Sequence, residues 1–150
     1  MLTKKSKIFI AGHNGMVGSA ILKKFKKENF RNLIIVNKNQ LNLLNQKKVS
    51  LFLKKKKPDY VIIAAARVGG IIANSNNKAS FIYENLQIQN NLIHASFING
   101  VKNLLFLGSS CIYPKGINIP ISEKRLLEGK LEETNDSYAI AKIAGLKMCE

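Results

Sequence analysis

The chain of 150 residues has few cysteines, few acidic side chains and no long apolar run. Cys111 and Cys149 form neither a disulfide framework nor a metal-binding spacing, so we expect free thiols and no metal. The longest apolar run, residues 61–66, has the size of a strand, whereas a membrane-spanning helix needs about 20 apolar residues. The apolar stretch near the N-terminus is also too short for a signal peptide. We expect one cytoplasmic domain over residues 1–150, without a membrane segment.

Lysine supplies most of the net charge of +15. Such an excess attracts nucleic acid when it is clustered, but here the lysines are spread over the outer faces of predicted helices. Arginine, the better reader of bases, occurs only at Arg31, Arg67 and Arg125. Lysine, asparagine and isoleucine are overused together, which indicates a compositional bias. We therefore expect a solvated basic surface and no nucleic-acid partner.

Short apolar runs alternate with segments of helical spacing. The runs are typical of strands buried on both faces of a parallel sheet, and they occupy residues 7–11, 33–36, 60–65 and 104–107. Helical spacing predicts helices over residues 16–27, 46–56 and 79–98, with Val17, Ala20, Val49 and Phe97 among the buried positions. A long irregular segment, residues 112–135, precedes a last helix from about Ser137. With right-handed crossovers, this order predicts an α/β fold with a Rossmann-like, doubly wound parallel sheet.

Three glycines follow the first predicted strand in the spacing Gly-x-x-Gly-x-x-Gly, a form of the dinucleotide-binding fingerprint. Gly12 allows the turn, Gly15 allows a pyrophosphate to approach the backbone, and Gly18 allows the helix to pack on the sheet. The helix N-terminus offers N–H groups and a positive dipole end to the phosphates. The candidate cofactor-binding residues in this loop are Gly12, His13, Asn14, Gly15, Met16, Val17 and Gly18.

The end of the second strand indicates which cofactor is preferred. NAD-binding proteins usually place an acid there to hold the ribose 2′-hydroxyl, but Val36-Asn37-Lys38-Asn39 contains none. Lys38 and the asparagines can attract or hydrogen-bond a 2′-phosphate, although Lys38 is equally explained as one more surface lysine. The segment favours NADP(H) over NAD(H).

Tyr138 and Lys142 are four residues apart on the last predicted helix and therefore share a face. A nearby ammonium stabilises a phenolate, so we expect Lys142 to lower the pKa of Tyr138 towards neutrality. Ser109 follows the fourth strand, whose carboxyl end borders the ligand crevice of a doubly wound sheet. Its hydroxyl can polarise a carbonyl that Tyr138 protonates. Serine, tyrosine and lysine beside a nicotinamide would make a carbonyl-reductase site.

The glycine loop, the serine and the Tyr-x-x-x-Lys pair resemble the extended short-chain dehydrogenase/reductase superfamily. Within it, the segments IAGHNGMVGSAI, AAARVGGIIAN, LLFLGSSCIYP and SYAIAKIAG are similar to the GDP-L-fucose synthase family. The resemblance covers essentially the whole chain. It implies 3,5-epimerisation of GDP-4-dehydro-6-deoxy-D-mannose followed by NADPH-dependent reduction at C4.

The resemblance also implies a role for each matching residue. Tyr138 protonates the C4 oxygen, Lys142 tunes it and binds the nicotinamide ribose, and Ser109 hydrogen-bonds the carbonyl. Cys111 acts as acid or base in the epimerisations. The candidate cofactor-binding set is completed by residues that end the fourth strand and by the lysine: Leu107, Gly108, Ser109, Ser110 and Lys142.

Some positions depart from the family pattern or remain open. Asn14 and Lys38 stand where arginine is common in the family. The attraction for the 2′-phosphate is therefore weaker, but NADP(H) is still favoured. Arg67 either reaches a phosphate or substrate or is a loop arginine.

Members of the family continue beyond these motifs with further strands and a substrate domain, so we expect an N-terminal fragment, inactive alone, of a homodimeric enzyme. The alternatives are an NAD-dependent nucleotide-sugar 4-epimerase or dehydratase and a non-catalytic NADP-binding module.

Overall fold

The computed structural model describes residues 1–150. They form two compact units, one of residues 1–66 and 87–107, the other of residues 67–86 and 108–150. Strands β1 to β4 are Ile8–Ala11, Leu33–Ile34, Tyr60–Ile63 and Asn103–Phe106. Helices α1 to α5 are Met16–Lys27, Gln46–Lys56, Ile71–Asn76, Lys78–Ile98 and Asp136–Cys149.

The first unit contains a parallel four-stranded sheet in the order β2-β1-β3-β4. Ile8 pairs with Leu33 on one side and with Tyr60 on the other, and Tyr60 pairs with Asn103. The chain thus leaves β1 towards one edge and returns to β3 on the opposite side. In such sheets, ligands bind outside the carboxyl ends of the strands where this reversal occurs.

Both faces of the sheet are covered, because successive side chains of a strand point to opposite faces. Phe9 and Ala11 join Val49 and Leu53 of α2 and Leu92 of α4 in one buried cluster. On the other face, Ile8, Ile10 and Ile62 pack against the α1 residues Ile21, Leu22 and Phe25. This confirms the predicted doubly wound α/β arrangement.

Several sequence predictions of detail are wrong. The second strand is only two residues long, and α3 lies where no helix was predicted. In α1, Val17 and Ala20 are exposed rather than buried. Phe97 is 80% exposed.

The error at Phe97 has a specific cause. The buried side of α4 includes polar side chains, Asn85, Gln89 and Ser96, alongside Leu92. Phe97 is about 140° around the helix from Leu92, given 100° per residue. An apolar stripe does not mark the buried face of a helix when polar residues fill part of that face.

β4 is an edge strand of the sheet. Leu105 on this strand is half exposed. Among the helices, none combines the length and apolarity required to cross a bilayer.

Candidate functional site

The glycine loop adopts a conformation that two of its glycines make possible. Gly12 has a φ of +86°, and a Cβ there would lie 2.5 Å from the backbone nitrogen of Ala65. A Cβ at Gly18 would lie 2.1 Å from the carbonyl oxygen of Gly12. Any side chain at either position would therefore collide with backbone. Gly12 and Gly18 are required by the packing of the loop itself.

Gly15 differs from the other two glycines. A Cβ at Gly15 would meet only the carbonyl oxygen of Gly12, at an ordinary contact distance of 3.4 Å. The protein therefore leaves the space next to this residue open. A glycine that bounds open space at a helix start fits the close approach of a pyrophosphate to the backbone. The loop thus fits a dinucleotide.

The N-terminus of α1 is suited to an anion. Gly15 is the N-cap and supplies no side-chain hydrogen bond, and the first turn carries no acidic residue. Met16 is 87% exposed and Val17 is also exposed, so this end of the helix is accessible. His13 is buried within the loop. The uncapped N–H groups and the positive helix end favour phosphate binding.

The polar groups that the sequence predicts beside the ribose 2′-phosphate are held next to the glycine loop. Asn14 Nδ2 donates to Asn37 Oδ1 at 3.0 Å, and the backbone N–H of Asn37 donates to Gln40 Oε1 at 3.1 Å. Lys38 is exposed. This region of the first unit contains amide and ammonium groups where an NAD-binding protein would carry an acid.

Leu107 and Gly108 follow β4. The backbone N–H of Leu107 lies 3.4 Å from the carbonyl oxygen of Ile63, which extends the pairing of β3 and β4 by one residue. Gly108 is exposed, and a Cβ there would meet no atom within 4 Å. As at Gly15, no packing contact within the protein requires the absence of a side chain at this position.

In the second unit, Ser109 and Cys111 are in direct contact. Cys111 Sγ lies 3.1 Å from Ser109 Oγ, which also accepts a bond from the backbone N–H of Cys111 at 3.4 Å. Both contacts arise because Ser109 caps a short 3-10 turn, Ser110–Ile112. Ser110 is exposed, whereas Ser109 and Cys111 are half-buried. Only one of the two adjacent serines contacts the thiol in this way.

Tyr138 and Lys142 lie together on α5, as their spacing predicted. Lys142 Nζ is 5.7 Å from the centroid of the Tyr138 ring. Lys142 is only 4% exposed, whereas Tyr138 is half-buried. The other buried residues of α5 are small or apolar, namely Ala139, Ala141, Ile143 and Gly145. Lys142 is not a surface lysine.

The predicted electrostatic effect of this pair is wrong in sign. Burial raises the pKa of Tyr138, and the charge of a Cys111 thiolate raises it further. Burial lowers the pKa of Lys142, an effect that Cys111 opposes. Loss of hydration around the half-buried phenol disfavours its anion. Tyr138 is consequently a protonated phenol at neutral pH.

Cys111 interacts with the other three candidate catalytic residues. The charge of Cys111 acts on both Tyr138 and Lys142, and its sulfur contacts Ser109. The structure thus brings together the four predicted catalytic residues within the second unit. A thiol, a hydroxyl, a phenol and an ammonium together can polarise an oxygen and transfer protons.

Arg67 has partners of its own within the protein. Its guanidinium forms an ion pair with Glu84 and lies 4.9 Å from the centroid of the Phe81 ring. Its backbone N–H donates to Asn85 Oδ1 at 2.8 Å, and its carbonyl accepts from Asn85 Nδ2 at 2.9 Å. These contacts favour the structural alternative for Arg67.

Two features of the second unit were missed from the sequence. One is the role of Asn85, which is buried and holds the chain at Arg67. The other is an ion pair between Lys78 and Asp136 near the start of α5. Neither has a local sequence signal, because the partners are 18 and 58 residues apart.

Residues 8–150 match the family model described as the NAD dependent epimerase/dehydratase family. The chain belongs to this family. Among curated members, it is 57% identical over its full length to a putative GDP-L-fucose synthase 2 of Arabidopsis thaliana. It is 51% identical over 146 residues to the GDP-L-fucose synthase of Escherichia coli, which covers 97% of this chain. The chain spans about half of each relative, 46% in both cases.

Solved structures of similar proteins show the same fold. The GDP-mannoheptose C4 reductase of Campylobacter jejuni, solved with NADP bound, is 45% identical and has a TM-score of 0.96. That match covers 100% of this chain and 48% of the reductase. A GDP-L-fucose synthetase from Naegleria fowleri bound to NADP is 30% identical with a TM-score of 0.84, over 97% of this chain and 43% of that protein.

Proposed function

We propose that the protein containing this chain is an NADPH-dependent epimerase-reductase that makes GDP-L-fucose from GDP-4-dehydro-6-deoxy-D-mannose. The observation that carries the proposal is the grouping of Ser109, Cys111, Tyr138 and Lys142, in which Cys111 contacts Ser109 and interacts electrostatically with the other two. Three of these residues are what a carbonyl reduction needs, and the thiol adds a group for proton transfer at carbon. The similarity to GDP-L-fucose synthases from plants and bacteria supports this substrate.

In the reduction, Ser109 would donate a hydrogen bond to the C4 carbonyl oxygen and Tyr138 would protonate that oxygen. When bound, NADPH supplies the hydride to C4. Tyr138 is a protonated phenol at neutral pH and therefore carries the proton that the C4 oxygen would receive. Lys142, next to the phenol ring, would stabilise the phenolate that remains.

In the epimerisations, Cys111 would transfer protons at C3 and C5. A carbonyl at C4 makes the protons on both neighbouring carbons acidic, so one polarised oxygen serves both parts of the reaction. Removal of a C–H proton from one face and its return on the other inverts the carbon. Cys111 lies 3.1 Å from Ser109, the residue that would hold that oxygen.

For the cofactor, we propose that the loop of residues 12–18 binds the pyrophosphate and that Lys38 and Asn14 bind the 2′-phosphate. Leu107, Gly108, Ser110 and Lys142 would complete the site. The open space at Gly15 and the absence of an acid near Lys38 support NADPH. The NADP-bound structures of two similar proteins also support it.

We further propose that residues 1–150 are the NADP-binding part of a cytoplasmic homodimer and that the sugar is held by residues outside this range. The lengths of the relatives support this division of the enzyme. Residues 1–150 alone should then bind NADPH without reducing the keto sugar.

The test uses the full-length protein, the keto sugar and NADPH in deuterated water. Deuterium at C3 and C5 reports epimerisation, and loss of NADPH absorbance reports reduction. Tyr138→Phe should abolish reduction and keep deuterium exchange, whereas Cys111→Ala should abolish exchange. Cys149→Ala is the matched control, since Cys149 is exposed on α5 and should change neither readout.

Two results would contradict the proposal. Reduction without any exchange would indicate a C4 reductase. Exchange and reduction that both survive Cys111→Ala and Tyr138→Phe would show that these residues are not the catalytic group.

A further inference from the structure

The start of α5 is held by a lysine from the junction of α3 and α4. Lys78 Nζ lies 3.0 Å from each carboxylate oxygen of Asp136. It also donates to the carbonyl oxygen of Glu133 at 2.7 Å. Asp136 in turn accepts from the backbone N–H of Ser137 at 2.6 Å. One ammonium therefore joins the segment before the helix to its first turn.

This connection matters because α5 lacks the usual cap. Its N-cap, Asn135, makes no side-chain hydrogen bond to the first turn, and an uncapped helix start is prone to fraying. Asp136 is the first helical residue, and its carboxylate is fixed by Lys78. The Lys78 contacts hold the start of α5, which the Asn135 side chain does not do.

Tyr138 is the residue most affected by movement of this turn. It lies two residues after Asp136, whereas Lys142 lies one turn further along and is almost fully buried. Fraying of the first turn would move the phenol relative to Lys142, Ser109 and Cys111. A displacement of about 1 Å in a reacting group can cost on the order of 100-fold in rate.

We propose that Lys78 is a positioning residue for Tyr138, acting through Asp136 to hold the first turn of α5. The inference rests on the proposed reductase function. Many exposed ion pairs contribute little, but Lys78 differs from these because it also bonds a backbone carbonyl next to the helix.

The chain offers a matched control in a second ion pair of the same segment. Lys115 Nζ lies 3.1 Å from Glu132 Oε2, and both side chains are more exposed than those of Lys78 and Asp136. Glu132 precedes α5 by four residues. Lys115→Met removes a comparable surface charge without touching the helix.

The experiment compares Lys78→Met, Lys78→Arg and Lys115→Met in the full-length protein. Lys78→Met should lower kcat for reduction about tenfold or more with little change in KM, because the acid is displaced while binding is kept. Lys78→Arg retains charge and donors and should restore most of kcat. Lys115→Met should behave like the unsubstituted protein.

A spectroscopic readout on the full-length protein accompanies the kinetics. With ring-labelled tyrosine, the NMR signal assigned by its loss in Tyr138→Phe should shift or broaden in Lys78→Met and stay unchanged in Lys115→Met. If Lys78→Met does not fold, Asp136→Asn is the substitute, since it removes the carboxylate charge and keeps the shape. The Tyr138 signal and kcat should change in that variant too.

The outcomes separate the inference from the function on which it rests. If Tyr138→Phe reduces the keto sugar normally, the proposed function is wrong. If Tyr138→Phe is inactive while Lys78→Met and Asp136→Asn keep full kcat and an unchanged Tyr138 signal, Lys78 is not a positioning residue. Equal losses in Lys78→Met and Lys115→Met would also overturn the inference, because the effect would then be one of surface charge.

Discussion

Alanine substitutions at Gly15 and Gly18 should have opposite effects on folding and on cofactor binding. At Gly18, the new Cβ would lie 2.1 Å from the carbonyl oxygen of Gly12 and 2.7 Å from its carbon. Both are backbone atoms, so α1 or the loop must move. Overpacking of this kind costs about 1–3 kcal/mol. For a chain of this size, that corresponds to roughly 2–4 °C in Tm for each kcal/mol.

At Gly15, the same substitution meets open space. The nearest atom, the oxygen of Gly12, is 3.4 Å from the added Cβ, and the backbone at Gly15 has a φ of −75° that any residue adopts. We expect the free energy of unfolding to change by less than about 1 kcal/mol, since Gly and Ala differ modestly at an N-cap. NADPH binding should weaken about tenfold or more, because the methyl group would occupy the space of the pyrophosphate.

Urea unfolding followed by circular dichroism measures the free energy of unfolding. Quenching or enhancement of NADPH fluorescence measures the affinity for NADPH. Both are carried out on residues 1–150, and the urea midpoint is compared at constant m-value. The reasoning would be refuted if Gly15→Ala bound NADPH as tightly as the unsubstituted chain. It would equally fail if Gly18→Ala were as stable as Gly15→Ala.

Three further predictions follow from the fold and its charges. Leu53→Ala should lower the free energy of unfolding by about 2–5 kcal/mol because Leu53 is fully buried, whereas Phe97→Ser should change it by about 0.5 kcal/mol or less; urea unfolding measures both. Lys78 lowers the pKa of Asp136 in the folded protein. The ion pair should therefore stabilise the fold at pH values above the ordinary pKa of a carboxyl group, and this stabilisation should be lost as the pH falls through the folded pKa. Asp136→Asn should make the free energy of unfolding depend less on pH in the acid range, as measured by acid unfolding curves. Lys38→Ala should weaken NADPH binding several-fold more than NADH binding in a fluorescence titration.

The features that the sequence predicts well depend on neighbours along the chain. The spacing of Gly12, Gly15 and Gly18 predicts the loop because a strand, a turn and a helix start leave few conformations for those residues. The spacing of Tyr138 and Lys142 predicts their contact because four residues make about one helical turn. The bounds of α1 and α2 were predicted correctly for the same reason.

The features that the sequence fails to predict depend on contacts between distant residues. The buried face of α4 includes Asn85, which bonds the backbone of Arg67, and Asn91, which donates to the carbonyl of Leu43 at 2.7 Å. A buried polar side chain is stable only with such partners, and they lie 18 and 48 residues away. Hydrophobic periodicity cannot detect them and instead favours Phe97, which is exposed.

For Tyr138 and Lys142, the sequence predicts that the two side chains are close but not the direction of their pKa shifts. Helical spacing correctly predicts that the ammonium lies beside the phenol, but the sign of the pKa shift depends on how much water surrounds each group. Burial removes water from both side chains, raising the pKa of Tyr138 and lowering that of Lys142. Each shift favours the neutral form, and Tyr138 therefore carries its proton at neutral pH. A protonated phenol can donate its proton to a polarised carbonyl, which is the direction of transfer that the proposed reduction requires.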